Sequence, residues 1–193
     1  MPKVSIIILT YNSSDYIGQL IQSIKATHSN KNIEIIIVDN NSTDNTLEKV
    51  GQFKEILIKK NDKNLGFAGG INSGAKIAKG EYLVFVNPDT EFKNGDVFDL
   101  ISVFEKFDNA GVVGGKLIDR NGKPEKSAGK FFGILETFLI SVGLDELLGV
   151  RFSPEKIQKV DFVSGGFFMI RKDLFEKLNG FDENFFMYVE DME

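Results

Sequence analysis

Apolar residues come in short runs that end in polar clusters. Val4 to Leu9 is apolar apart from Ser5, as a central strand covered on both faces requires. Ile17, Leu20, Ile21 and Ile24 recur at helical spacing, with Ser13 or Ser14 as the expected cap. Ile33 to Val38 reads as a second buried strand. Ser42 is expected to cap a short helix carrying Leu47 and Val50. Ile56 to Ile58 is a third, short strand. A glycine-rich turn, Asn64 to Gly70, opens a helix expected to run toward Lys79 and stop at Gly80. Tyr82 to Val86 is a fourth strand and Val97 to Phe107 a helix. Strand and helix alternate with short connections, which predicts an α/β fold. Its central sheet is mostly parallel and carries helices on both faces.

The second half has a different pattern. Val112 to Ile118 predicts a strand, and Asp119-Arg120-Asn121-Gly122 has hairpin-turn chemistry. Gly133 to Val150 is largely apolar, interrupted by Glu136, Asp145 and Glu146; an amphipathic helix and a lid are both open. Asp161 to Ile170 predicts a strand carrying Gly165-Gly166. Asp173 to Leu178 predicts a short helix ended by Gly180. Eleven of the 18 Phe lie between Phe131 and Phe186, so this half is expected to present aromatic surface. No repeat or linker divides the chain. The expectation is one domain over 1–193, with a nucleotide-binding half at about 1–110 and an acceptor-side half at about 111–193.

Composition narrows the chemistry. A net charge of -5 argues against a nucleic-acid partner, which favours a basic stripe. There is no Cys and one His, His28, near the end of the first helix. Thiolate sites, zinc sites and Ser-His-Asp arrangements are therefore disfavoured, and chemistry falls on carboxylates, hydroxyls and backbone. His28 itself reads as a helix C-terminal residue favoured by the dipole. Val4 to Leu9 is too short for a signal-peptide core, and no apolar stretch reaches the roughly 18 residues of a membrane span. A cytoplasmic protein is expected, with a peripheral contact at the inner face of the membrane allowed.

In open α/β sheets, ligands bind at the carboxyl ends of the strands. Those ends carry Thr10-Tyr11-Asn12, Asp39-Asn40-Asn41 and Asn87-Pro88-Asp89. Asp39 can accept the imide N–H of a pyrimidine while Tyr11 lies against the base; alternatively it caps the next helix. The turn Asn64 to Gly74 allows close approach of backbone to a ligand, or serves as a tight packing turn. Asp89 can hold Mg²⁺ or Mn²⁺ with phosphate oxygens and water, or belong to a simple Asn-Pro-Asp turn. Glu190-Asp191 offers a general base, or a solvated acidic end; the aromatic run Phe181 to Tyr188 before it disfavours the latter.

Taken in order, these motifs resemble the inverting, GT-A-type glycosyltransferases of family 2, especially the rhamnosyltransferase-like members. The matching residues are Ser5 to Asn12, Val38 to Asp44, Asn64 to Gly74, Asn87 to Thr90, Ser164 to Arg171, and Gly180-Phe181-Asp182-Glu183 through Glu190-Asp191. The resemblance implies a nucleotide-diphosphate sugar donor, a saccharide or lipid-linked acceptor and a divalent metal. Thr10, Tyr11 and Asp39 would hold the nucleoside, and Asp89 would be the metal acid of an Asp-x-Asp motif whose first position is Asn87 here. Gly165-Gly166 would shape the donor–acceptor site. Asn12, Asn41, Asn64, Gly66, Gly69 and Asn72 complete the expected donor-binding set. Asp191 would be the catalytic base with Glu190 beside it. Family members continue with a helix after the acidic pair, so the resemblance implies a C-terminally truncated transferase with donor binding but weak turnover.

Two rival functions are distinguishable. A sugar-nucleotide pyrophosphorylase needs an Arg- and Lys-bearing glycine loop directly after the first strand, and Thr10-Tyr11-Asn12-Ser13-Ser14 offers none. A non-catalytic nucleotide-sugar or glycan-binding remnant would lack donor turnover.

Overall fold

The computed structural model describes residues 1–29, 31–93, 95–131, 133 and 151–186. Its centre is a six-stranded sheet in the order β3-β2-β1-β4-β9-β5. The strands are β1 (Val4–Thr10), β2 (Ile33–Asp39), β3 (Ile56–Lys60), β4 (Tyr82–Val86), β5 (Val112–Gly114) and β9 (Phe167–Arg171). The first four pair in parallel, while β9 is antiparallel to both β4 and β5.

Alternation along the buried strands sends side chains to opposite faces. Ile6 and Ile8 of β1 join one cluster with α1 (Ile17–Thr27), Val50 of α2 (Thr46–Gly51) and α4 (Val97–Lys106). Ile7 joins the other, with Ile36, Leu83 and Phe85, under α3 (Gly66–Ala75) and α5 (Lys172–Lys177). Helices thus cover both faces, which is why these strands read as unbroken apolar runs. A second, three-stranded antiparallel sheet has the order β7 (Arg151–Phe152), β6 (Ala128–Gly129), β8 (Phe162–Val163).

Several expectations are corrected. The expected strand Asp161 to Ile170 is two strands in different sheets, split at Ser164-Gly165-Gly166, because β8 pairs with β6 and β9 with β4. The strand expected to reach Ile118 ends at Gly114, where a Cβ would lie 2.8 Å from Val163. Ile118 instead bridges to Pro124, and the Asp119 turn closes through Gly122 N–H to Asp119 O at 3.0 Å. The helix from Gly66 ends at Ala75 rather than near Lys79, since Ile77 and Ala78 donate to carbonyls three residues back. Neither Ser13 nor Ser14 caps α1, whose N-cap is Tyr16 without a side-chain bond. Much of the aromatic half turns inward: Phe168, Phe175 and Phe181 surround Phe85 with ring centroids 5.0, 5.4 and 6.1 Å away. Phe131 and Phe186 remain exposed. The segment Gly133 to Val150, apart from Gly133, lies outside the described residues.

Candidate functional site

Parallel register places the polar strand ends side by side. Thr10 is the partner of Asp39, and Ile8 that of Val86, so Asn87-Pro88-Asp89 leaves the sheet beside the end of β1. Strands stand about 4.8 Å apart, so β2 and β4 flank β1 at about 10 Å from each other. Gly166 O accepts the Asn87 N–H at 3.0 Å, bringing the Gly165-Gly166 turn to the same edge. Thr10, Asp39, Asn87, Asp89, Gly165 and Gly166 are therefore collected at one end of the sheet, from positions 10 to 166.

Asp39 has no solvent exposure. A buried carboxylate is costly without donors. Here Oδ1 accepts from Ser42 Oγ at 2.5 Å and Thr10 Oγ1 at 3.2 Å, and Oδ2 accepts from Ser42 N–H at 3.0 Å. A carboxylate has about four acceptor positions, so Oδ2 keeps one. Ser42, expected to cap α2, instead orients Asp39. Asp44 stands just before Asn45, the N-cap of α2, and accepts from Thr46 N–H at 3.0 Å and from Ser14 N–H at 3.1 Å. Desolvation works against the Asp44 charge, but the Thr46 and Ser14 bonds outweigh it and hold the pKa at about 2.

Tyr11 stands at the end of β1 and is 52% exposed. Asn12 and Asn41 both adopt left-handed backbone, with φ of 51° and 64°, a conformation Asn tolerates better than most residues. Asn12 ties the two loops together: its N–H donates to Ser42 Oγ at 2.9 Å and its Oδ1 accepts from Thr43 N–H at 2.9 Å.

The glycine-rich turn is filled by the chain itself. A Cβ on Gly70 would lie 2.3 Å from Leu9, and one on Gly74 would lie 2.6 Å from Val38. Asn64 Oδ1 accepts the Gly66 N–H at 2.9 Å, and the Phe67 N–H donates to Phe186 O at 2.8 Å. These bonds occupy donors at the start of α3. A Cβ on Gly69 would meet Leu65 at 2.9 Å. Asn72 spends its amide on Phe181 and Glu183.

Asn40 and Asn61 were not expected here. Buried Asn40 donates from Nδ2 to Gly66 O at 2.9 Å and to Asn64 Oδ1 at 3.1 Å, and accepts from Asn61 Nδ2 at 2.8 Å. Ser73 Oγ donates to Asn61 Oδ1 at 3.0 Å. The network locks β2, the end of β3 and α3 together. Its signal in sequence is an amide directly after β2 and another directly after β3, but sequence alone names no partner. Beside it, Lys59, Lys60 and Lys63 line an open groove of about 320 Å³.

Asp89 is exposed, and no hydrogen bond or ion pair to its carboxylate is found among the described residues. No group of three His, Cys, Asp or Glu that could hold a metal ion is found among the described residues. One free carboxylate fits Mg²⁺ or Mn²⁺ of the kind that takes its other oxygens from phosphate and water. Glu190 and Asp191 lie outside the described residues. His28 is a buried structural residue, with Nε2 accepting the Val97 N–H at 3.1 Å.

The model of glycosyl transferase family 2 matches residues 5–179. The chain is 27% identical over 197 residues to the low-salt glycan biosynthesis hexosyltransferase Agl10 of Haloferax volcanii, covering 100% of this chain and 60% of that one. It is 22% identical over 213 residues to the N-acetylglucosaminyl-diphospho-decaprenol L-rhamnosyltransferase of Mycobacterium tuberculosis, covering 97% and 67%. Among solved structures, S. aureus TarS 1-349 in complex with UDP aligns with a TM-score of 0.69 at 23% identity, over 98% of this chain and 53% of that one. Mannosyltransferase PcManGT from Pyrobaculum calidifontis, in complex with GDP-Man and Mn²⁺, aligns with 0.68 at 20% identity, over 99% and 50%. The chain thus spans between about half and two thirds of these proteins. The structural likenesses establish a GT-A-like fold.

Proposed function

The chain belongs to glycosyl transferase family 2, and from that membership we propose that it moves a sugar from a UDP- or dTDP-sugar to a hydroxyl of a glycan or lipid-linked saccharide, with inversion. The observation that carries this reading is the register: Thr10 paired with Asp39, with Asn87-Pro88-Asp89 leaving the neighbouring strand. On this reading a nucleoside site at the ends of β1 and β2 lies beside a diphosphate site at the end of β4.

In this reading Asp39, held by Thr10 and Ser42, accepts the imide N–H of the base on its remaining acceptor position. Tyr11 lies against the ring. The lysines of the adjoining groove favour an anionic ligand. Asp89, with Asn87 beside it, would hold the divalent metal. When bound, that metal offsets charge on the diphosphate leaving group. Gly165-Gly166 would shape the site where donor and acceptor meet. Asp191, with Glu190 beside it, takes the proton of the acceptor hydroxyl as the new C1–O bond forms on the face opposite the departing diphosphate.

We take residues 1–193 as one catalytic domain, with the four parallel strands in its nucleotide-binding half. No helix among the described residues is long and apolar enough to cross a membrane. We place the protein in the cytoplasm, meeting lipid-linked acceptors at the membrane's inner face.

Thermal denaturation with UDP, dTDP and GDP, each with and without Mn²⁺, tests the reading. A pyrimidine diphosphate at about 100 times its dissociation constant should stabilise the fold by roughly 2.7 kcal/mol. A shift with GDP and none with UDP or dTDP would overturn the role given to Asp39.

A further inference from the structure

The hairpin between β5 and β6 has two faces of different character. Ile118 bridges to Pro124. Hydrogen bonds flank that pair, from the Asp119 N–H to Lys123 O at 2.8 Å and from the Glu125 N–H to Leu117 O at 3.0 Å. Alternation along a strand then puts Lys116 and Lys126 on the face of Ile118 and Pro124, and Leu117 on the other. Arg120 stands at the tip, in the turn that Asp119 and Gly122 close.

The Leu117 face meets the candidate site. A Cβ on Gly166 would lie 3.5 Å from Leu117 Cδ1 and 3.6 Å from Asn87 Nδ2. The other face is open to solvent. Lys116, Arg120, Pro124 and Lys126 are exposed, and Ile118 is 44% exposed.

Charge on this stretch runs against that of the chain. From Lys116 to Lys130 there are five Lys or Arg and two acids, in a protein whose net charge is -5. One of those acids, Asp119, is engaged in the turn, where Oδ1 accepts the N–H groups of Asn121 and Lys123, each at 2.8 Å. No ion pair of Lys116 or Arg120 is found among the described residues. An apolar pair framed by exposed cations suits the boundary of an anionic bilayer, where headgroups attract the cations and the apolar side chains leave water. A soluble polyanion would engage the cations alone.

We infer that the hairpin Lys116 to Lys126 docks the protein on an anionic membrane surface through its Ile118–Pro124 face. Docked in this way, the membrane and the Gly165-Gly166 turn are separated by the thickness of one ribbon. A lipid-linked acceptor could then reach that turn with its lipid still in the bilayer. This consequence rests on the proposed transferase reading; the docking itself does not.

Co-sedimentation of the full chain with vesicles tests the inference, with no donor or acceptor present. The chain should bind vesicles of mixed phosphatidylcholine and phosphatidylglycerol, should release them at high salt, and should not bind phosphatidylcholine alone. Each cation near such a surface is worth about fivefold in affinity. Lys116→Gln with Arg120→Gln should therefore weaken binding by about 25-fold, and Ile118→Ser by about fivefold. Lys59→Gln with Lys63→Gln removes the same charge at the opposite edge of the central sheet and should change binding by less than about threefold. All these side chains are exposed, so circular dichroism should show the parent fold in each variant. Stabilisation by UDP should be unchanged in the hairpin variants. Absence of binding to phosphatidylglycerol vesicles, or an equal loss from the two pairs of Lys and Arg substitutions, overturns the inference. Binding that soluble polyphosphate competes away and that Ile118→Ser leaves intact also overturns it, in favour of a soluble anionic partner. Hairpin-dependent vesicle binding by a chain that neither UDP nor dTDP stabilises would uphold the docking face and strike the transferase reading.

Discussion

Two glycines in helices mark opposite limits of what a single residue does here. Gly74 of α3 lies on the sheet, where a Cβ would be 2.6 Å from Val38 Cγ2 and 2.7 Å from Ile7 Cγ2. Both neighbours are buried and branched at Cβ, so neither can rotate away. Gly18 of α1 has nothing within 4 Å of the same position. Gly74→Ala should therefore destabilise by about 1–3 kcal/mol through overpacking. Gly18→Ala should stabilise by about 0.5–1 kcal/mol through helix propensity and a restricted unfolded state. Urea midpoints for the two variants check this; the same sign in both would mean that α3 does not pack as described. Sequence alone could not tell these glycines apart. It could place Gly66 and Gly69 in a special turn, but whether that turn faces a ligand or the chain depends on Leu9, Val38 and Phe186. The same holds for Asn40, whose four partners come from Thr10, Asn61, Asn64 and Gly66.

At the scale of elements, strands and helices with one dominant period were legible, and those defined by partners were not. β1 and β2 needed only their apolar runs. The split between β8 and β9 needed β6 and β4, which no local pattern announces. The junction of α1 and α4 is a further case. Asp96 is the N-cap of α4: its Oδ1 accepts the Phe98 N–H at 3.0 Å, and Asp99 Oδ2 accepts the Asp96 N–H at 3.0 Å. Lys31, at the end of the loop after α1, pairs with Asp96 at 2.9 Å, and the His28 ring packs against it. Burial works against the Asp96 charge, but the Phe98 N–H and Lys31 outweigh it and hold the carboxyl below the ordinary range. The folded pKa is depressed. The charge therefore contributes stability above the unfolded value of about 4, and that contribution is lost as pH falls through the folded value. Asp96→Ala should cost about 1 kcal/mol at neutral pH. Asp96→Asn keeps a cap but not the charge, so it should be less stable than the parent at pH 7, with the difference closing in acid below pH 4. A difference that stays constant from pH 7 to the acid limit would assign the loss to geometry rather than charge.

At the scale of the whole molecule, the question is why acids so distant in sequence should converge at one edge of the sheet. Parallel strands linked by helices deliver all their carboxyl ends to one side, so each strand end can be given a polar group without disturbing the core. Asp39 and Asp89 exploit this in different ways. Asp39 is buried and held by three donors, so its substitution removes packing and hydrogen bonds together. Asp89 is exposed and carries no such ties among the described residues. Substitutions at exposed positions without partners usually stay within about 0.5 kcal/mol. Asp89→Ala should therefore leave the melting temperature nearly unchanged in the absence of ligand and abolish the extra stabilisation that Mn²⁺ adds to UDP or dTDP. Asp39→Ala should lower the ligand-free melting temperature as well, because it leaves the Thr10 hydroxyl and the Ser42 donors without their buried acceptor. Thermal denaturation of both variants, with circular dichroism as the fold check, separates the two roles. If Asp89→Ala lost as much ligand-free stability as Asp39→Ala, Asn87-Pro88-Asp89 would be a structural turn, and the metal would have to be sought elsewhere in the chain.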